Sequence, residues 1–240
     1  MRRMDSKVSI IIPFFNCAFI NESIESALGQ TYPNIEILVV NDGSTLNTDK
    51  LNPYLKDIKL IEKENGGTGS AINAGMEAAS GDYFAWLSSD DVFMPNKIES
   101  QLQFMQNNQS FISYTNYSLI DENSNITNEN VGVHYEIPYE FIRHFQKGCH
   151  INGCTVMFKK DVYQTIGEFN TRYKYTQDYD YWLRVIQHYK FDYINKPLTL
   201  YRVHPKMGSK QFLRNQTAEI IELRVKYKRI LKDLERSVLM

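Results

Sequence analysis

The chain has 240 residues, 28 acidic and 27 basic side chains, a net charge of −1 and 42 % hydrophobic residues. That length suits one large domain or a domain with a modest extension. The apolar content excludes a disordered chain, and the balanced charge offers no field for nucleic acid. Cys17, Cys149 and Cys154 are too few for a disulfide framework, and Cys149-His150 with Cys154 lacks the fourth ligand of a structural zinc site.

Met1-Arg2-Arg3-Met4 is followed by an apolar run, Val8 to Ile12, that Pro13 ends too soon for a secretory leader. No run approaches the roughly 18 apolar residues of a membrane helix. A soluble, reduced, cytoplasmic protein is expected.

Val8 to Ile12 is β-branched and almost wholly apolar, as a buried parallel strand is. A short helix follows over Asn21–Leu28, with Asn21 as its cap, then turn chemistry at Gln30–Asn34. Ile35 to Val40 is a second buried strand, closing on Asn41-Asp42-Gly43-Ser44, and Ile58 to Ile61 a third. Asn65-Gly66-Gly67 opens a helix rich in small residues, and Tyr83 to Leu87 is a fourth strand, stopping at Ser88-Ser89-Asp90-Asp91. Strands alternating with helices over short links predict an α/β layer with a parallel sheet. Asn16, Asp42 and Asp90-Asp91 then share the rim beyond the strands' carboxyl ends, where ligands of open α/β sheets bind.

Two adjacent aspartates at such a rim are costly unless something cationic neutralises them. A hard divalent ion bridging carboxylates and substrate phosphates is one partner; helix capping explains the same residues without a ligand. Dinucleotide binding wants G-x-G-x-x-G after the first strand, where this chain has Pro-Phe-Phe-Asn, and no Gly-Lys-Ser/Thr supports a P-loop. Gly66-Gly67 is either a flexible turn or a cradle for phosphate on backbone N–H groups.

Pro95 to about Asn107 reads as helix, Phe111 to Ile120 as strand, and Asp121 to Asn130 as a solvated hairpin or loop. A helix over 138–149 breaks at Gly148. Gly153 to Phe158 is a strand, Lys160 to Ile166 a short helix. Thr176 begins a helix with Asp178 and Asp180 in its first turn, where acids suit the dipole. Two residues apart, they face different ways. Lys196 to Leu200 is strand-like and leads into Tyr201-Arg202-Val203-His204-Pro205. From about Gln211 to Leu239 the pattern is a basic amphipathic helix, packed on the domain or lying against an anionic membrane or a partner helix.

Val8-Ser9-Ile10-Ile11-Ile12-Pro13-Phe14-Phe15-Asn16, Ser26-Ala27-Leu28-Gly29-Gln30-Thr31-Tyr32-Pro33-Asn34, Asn41-Asp42-Gly43-Ser44, Asn65-Gly66-Gly67, Asn73-Ala74-Gly75 and Ser89-Asp90-Asp91 together resemble the family 2 glycosyltransferases. Gln177-Asp178-Tyr179-Asp180-Tyr181-Trp182-Leu183-Arg184 and Tyr201-Arg202-Val203-His204-Pro205 resemble that family's later motifs. Each motif is weak alone; eight in order make the assignment specific.

The resemblance implies a GT-A fold: a mostly parallel central sheet flanked by helices, over residues 1–209, with a nucleotide-binding half (about 7–95), an acceptor-binding half (about 96–209) and a C-terminal helical extension (210–240). It implies a nucleotide-sugar donor, UDP-linked by expectation, a Mn²⁺ or Mg²⁺ ion and inversion at the anomeric carbon. By position, Pro13, Phe15, Asn16 and Asp42 hold the base and ribose, and Asn65, Gly66 and Gly67 line the nucleotide. Asp91 and Asp90 are metal ligands, Asp91 the more direct and Asp90 nearer the ribose, and His204 is a further ligand to metal or diphosphate. Asp178 is the general base for the acceptor hydroxyl.

The expected acceptor is a glycan or lipid-linked sugar, in the setting of bacterial surface polysaccharide, with peripheral contact at the inner membrane face through the C-terminal helix. The chain departs from the family at Asn41 and Ser88, where Asp is frequent, and at Ile72, where Arg is frequent. Two alternatives remain: a sugar nucleotidyltransferase, which wants a Gly-rich basic loop after the first strand, and a non-catalytic nucleotide- or glycan-binding module, which only Asn41 and Ser88 favour.

Overall fold

The computed structural model describes residues 5–239; Met1 to Met4, which entered the leader reading, lie outside them. The expected buried strands form where β-branched residues run together: β1 (Val8–Phe14), β2 (Ile35–Asp42), β3 (Lys59–Lys63) and β4 (Tyr83–Trp86). β1 pairs in parallel with β2 and β4, and β2 with β3.

The sheet then turns mixed. β5 (Val92–Phe93), β6 (Ile112–Ile120), β7 (Ile126–Asn128), β8 (Met157–Lys159) and β9 (Phe191–Arg202) complete it. The order is β3-β2-β1-β4-β8-β6-β9-β5, with β7 hairpinned onto β6. β8 runs antiparallel to β4 and β6, whereas β9 runs parallel to β6. The sign changes twice across β8, so β6 and β9 point the same way as β4. Ile120 and Arg202 therefore finish at the same rim as Phe14, Asp42 and Trp86.

Alternation along β1 shows how the layers are built. Ile11 packs on one face of the sheet, while Val8, Ile10, Ile12 and Phe14 pack on the other, all without accessible surface. Full burial of each such side chain contributes about 1.5–3 kcal/mol. Helix α1 (Ile20–Leu28) buries Ile20, Ile24 and Ala27, one stripe at helical spacing, and shares its layer with α3 (Lys97–Asn107). The opposite layer holds α2 (Thr68–Ala78), α4 (Pro138–Phe145), α5 (Lys160–Ile166) and α6 (Gln177–Val185). After a short α7 (Gly208–Gln211), the long α8 (Leu213–Ser237) joins that layer through Leu223, Tyr227 and Leu231.

Several boundaries move. α1 starts at Ile20, so Asn21 lies inside the helix and is not its cap. The helix expected over 138–149 stops at Phe145. Gly153–Thr155 is a 3₁₀ turn, not strand. β9 is far longer than Lys196 to Leu200, because its polar first half lies beside β6 across register shifts at Thr115 to Tyr117 that break the simple alternation. The polar 121–130 segment is the hairpin leading into β7.

Candidate active site

The rim is organised first by Asp42, which is 3 % exposed at the end of β2. Its carboxylate accepts hydrogen bonds from the backbone N–H groups of Gly66 (3.0 Å) and Gly67 (2.8 Å) and from Lys63 Nζ (2.7 Å). Its carbonyl accepts from Asn65 Nδ2 at 2.9 Å. The two glycine N–H groups considered for phosphate are thus taken by a protein carboxylate. Gly67 has φ +86, and Gly43 has φ +74 with its missing Cβ only 2.9 Å from the Asn65 backbone nitrogen. Neither place accepts a side chain without strain.

Asn16 has φ 52, and its side-chain oxygen accepts from the N–H groups of Thr45 and Leu46, both at 2.8 Å. Its own N–H donates to Ser44 Oγ at 3.0 Å. Asn16 therefore ties the end of β1 to the loop after β2, and that oxygen is committed to the fold, not to a nucleotide. Asn41 holds the same loop, accepting from the Ser44 N–H. Pro13 is half-buried beside Val40. Phe15 stands 53 % exposed on the rim, a bare aromatic face next to the Asp42 loop.

Asp90 and Asp91 part company. Asp91 has no accessible surface. Its Oδ1 accepts the backbone N–H of Arg202 at 2.9 Å, its carbonyl accepts from Ser23 Oγ at 2.7 Å, and its Oδ2 lies buried without a hydrogen-bond partner. Burial, with the Asp90 carboxylate beside it, holds the Asp91 carboxyl well above the usual carboxylate range. Asp90 keeps 26 % of its side-chain surface, and its Oδ2 lies 3.1 Å from His204 Nε2. The expectation gave both aspartates to the metal, with the more direct contact at Asp91 and Asp90 nearer the ribose. Of the two, Asp90 keeps an accessible oxygen, beside the buried His204, whereas Asp91 is wholly enclosed.

The partly exposed Asp90 carboxylate is a hard oxygen donor of the kind Mn²⁺ or Mg²⁺ takes, and the His204 imidazole beside it suits Mn²⁺ better than Mg²⁺. Among the described residues, no cluster of three or more His, Cys, Asp or Glu is placed to hold a metal ion.

Arg202 carries this arrangement although sequence reasoning gave it no role. Its guanidinium is fully buried and donates to the carbonyl of Asp90 (2.8 Å), to the carbonyl of Asp121 (3.1 Å), to Ser124 Oγ (2.9 Å) and to Glu22 (2.7 Å), lying 4.4 Å over the Phe19 ring. A planar, five-donor fork suits this many acceptors at once. Ser88 meets the buried Cys154, whose Sγ accepts the Ser88 N–H at 3.2 Å and lies 3.1 Å from its Oγ.

Asp178 sits in the first turn of α6. The preceding Gln177 packs where a Cβ on Gly69 would come within 3.3 Å, so this turn lies over the first turn of α2. Asn73 of α2 clamps the same region by a reciprocal pair with the Phe169 backbone, at 2.9 and 2.8 Å. Asp178 keeps some accessible surface while its carboxyl is packed round by protein, and burial pushes it up to about 6. Cys149 Sγ lies 3.9 Å from its Oδ2. Burial and the Asp178 charge raise that thiol, so it stays protonated. Asp180 points elsewhere, into Arg184 (3.0 Å), Lys226 (3.0 Å) and Tyr227 (3.1 Å), as two-residue spacing requires.

A sheet whose parallel half presents carboxylates at its strand ends, continued by antiparallel and returning strands, is the GT-A arrangement of nucleotide-sugar transferases. The family model "Glycosyl transferase family 2" matches residues 9–167, and the chain belongs to that family. It is 39 % identical over 214 residues to a protein of Rickettsia felis named "Uncharacterized glycosyltransferase", covering 85 % of this chain and 35 % of that one. The chain thus spans about a third of that relative's length. It is 35 % identical over 204 residues to the Escherichia coli UDP-Glc:alpha-D-GlcNAc-diphosphoundecaprenol beta-1,3-glucosyltransferase WfaP, covering 82 % of this chain and 77 % of that one. The crystal structure of S. aureus TarS 1-349 in complex with UDP superposes with a TM-score of 0.68 at 18 % identity, covering 91 % of this chain and 64 % of that one. The family match stops before α6, so Asp178, Arg202 and His204 rest on the geometry above.

Proposed function

We propose that this chain is the catalytic domain of an inverting, metal-dependent glycosyltransferase that moves a sugar from a uridine diphosphate donor to a hydroxyl of a lipid-linked or glycan acceptor. The observation that carries the reading is Asp178: a carboxylate whose burial tunes it to about 6, at a helix start over the first turn of α2. A base so tuned is ionised at neutral pH yet retains basicity. The UDP-Glc donor and diphosphoundecaprenol acceptor in the name of WfaP, and the UDP bound by TarS, support the choice of substrates.

In this reading Phe15 stacks on the base, the Asp42-braced loop walls the nucleotide, and Asp90 with His204 holds a Mn²⁺ or Mg²⁺ ion. That ion supplies charge neutralisation for the diphosphate. Asp178 takes the proton from the acceptor hydroxyl as its oxygen attacks the anomeric carbon. The bond from that carbon to the diphosphate oxygen breaks, and the electron pair leaves with UDP. One base opposite the leaving group, with no covalent intermediate, gives inversion, as in inverting glycosidases.

The acceptor suggests where the protein works. Among the described residues, no helix is long and apolar enough to cross a membrane. α8 turns Ile221 and Val225, 55 % and 71 % exposed, outward with the exposed Lys228, Arg229 and Lys232. This exposed apolar and basic face supports a reading of peripheral contact with anionic lipid. Sedimentation with phosphatidylglycerol vesicles tests it; an Ile221→Asp/Val225→Asp variant that binds as well as wild type removes this part. The activity itself is tested with UDP-glucose or UDP-GlcNAc, a lipid-diphosphate-linked acceptor and Mn²⁺: wild type forms product and Asp178→Asn does not. Equal turnover by Asp178→Asn contradicts the reading.

A further inference from the structure

The general base is held from behind by a helix outside the matched family region. Asp178 follows the segment 174–176, which enters α6 as a loop and has no helical hydrogen bonds of its own to fix it. Glu219 of α8 supplies them. Its Oε1 accepts the backbone N–H of Lys174 at 3.1 Å, and its Oε2 accepts the N–H of Tyr175 at 3.0 Å and Thr176 Oγ1 at 2.8 Å. Thr176 is buried, and its carbonyl accepts the first α6 bond, from the Asp180 N–H at 3.0 Å.

The same helix repeats the grip on both sides. Glu222 accepts from Tyr173 OH at 3.0 Å, while Lys226 and Tyr227 hold Asp180. Glu219, Glu222 and Lys226 recur at three- and four-residue spacing, with Tyr227 adjacent, so one face of α8 meets the stretch 173–180. Glu219 is the member nearest the start of α6. A carboxylate accepting three protein donors is a strong anchor, and backbone N–H groups at a helix entrance need such an acceptor.

We propose that Glu219 is a positioning residue for the transfer reaction, fixing the entrance of α6 so that Asp178 meets the acceptor hydroxyl in reacting geometry. The inference rests on Asp178 being the base. It makes α8 part of the acceptor half instead of an appendage, and gives the helix with the lipid-facing side a mechanical link to the base. A displacement of about 1 Å in a catalytic group costs on the order of a hundredfold in rate. The donor site has no bond to Glu219, so nucleotide affinity is independent of it.

The test compares Glu219→Gln and Glu219→Ala with wild type in the full chain, measuring kcat, acceptor KM and the Kd for UDP with Mn²⁺. Glu219→Gln keeps the volume and an acceptor oxygen but sets an NH₂ against one donor. Asp233→Ala, an exposed ion-pair residue of the same helix, controls for general effects on α8. The expected result is a kcat lowered roughly ten- to hundredfold in Glu219→Ala and severalfold in Glu219→Gln. UDP Kd stays within about twofold, and Asp233→Ala behaves as wild type. Unchanged kcat in both Glu219 variants, with Asp178→Asn inactive, overturns the inference alone. A parallel fall in kcat and UDP affinity also overturns it, by showing general loss of structure. An active Asp178→Asn removes the underlying reading and this inference with it.

Discussion

The backbone N–H of Arg202 donates to Asp91 Oδ1 at 2.9 Å across 111 residues of sequence. This bond assigns two neighbouring aspartates to different work, since it turns Asp91 into the interior and leaves Asp90 at the surface beside His204. Asp91→Ala strands the Arg202 N–H and removes a buried strut, at a cost of about 1–3 kcal/mol. Asp90→Ala removes a partly exposed side chain and costs little stability. Thermal melts without metal are expected to show a drop of several degrees for Asp91→Ala alone. In nucleotide binding, Asp90→Ala and His204→Ala are expected to abolish the stimulation by Mn²⁺.

Asp42 predicts a different pattern. Asp42→Ala deletes the acceptor for Gly66, Gly67 and Lys63 together. The 65–67 loop loses its brace, and stability falls by about 2–4 kcal/mol. Donor KM should rise at least tenfold, with a smaller change in kcat, read from initial rates over a donor titration.

Phe15 is the opposite case, because about half of its surface is exposed and it belongs to neither buried core cluster. Phe15→Ala should leave the melting temperature within about a degree. UDP affinity should fall roughly 5- to 30-fold, the worth of about 1–2 kcal/mol for one aromatic–base stack. Calorimetry on the two proteins reads both numbers.

Asp178 links stability to pH. Its folded value of about 6 lies above the ordinary carboxyl value of 3.8. Below pH 3.8 the group is protonated in folded and unfolded chains alike and costs nothing. As pH rises from about 4 to about 6, the unfolded chain ionises first and stability is lost; above 6 the full cost stands. Asp178→Asn should therefore be more stable than wild type at pH 7.5, by on the order of 2 kcal/mol, with the gain vanishing near pH 4. The variant is expected to be inactive, and the acid limb of the wild-type kcat profile should fall near pH 6. Denaturant unfolding at the two pH values measures the gain.

The first four strands were legible because they are β-branched or aromatic apolar runs of strand length, so burial alone places Phe14, Asp42 and Trp86 at one rim. The position of Asp90-Asp91 at that rim was legible for the same reason. The pair's division of labour was not, because it depends on where Arg202 arrives at the end of β9. Asn16 reads as a rim ligand by position, yet its left-handed backbone turns the side chain onto the Thr45 and Leu46 N–H groups. Ser88 looked like a lost carboxylate; in the fold it meets Cys154, 66 residues on, beside the already buried Asp91. A second charge there would be expensive. The clamp on α6 had no local signal at all, since Glu219 is one acidic residue on a charged helix until Lys174 to Thr176 are folded against it.

The central claim is that this rim binds a nucleotide diphosphate through a divalent ion held by Asp90 and His204. Isothermal titration of UDP, with GDP and CDP as comparisons, with and without Mn²⁺, tests it most directly. The account predicts binding of UDP that needs Mn²⁺ and disappears in Asp90→Ala. Binding of none of the three to the folded protein, or UDP binding equally tight without metal, would contradict it.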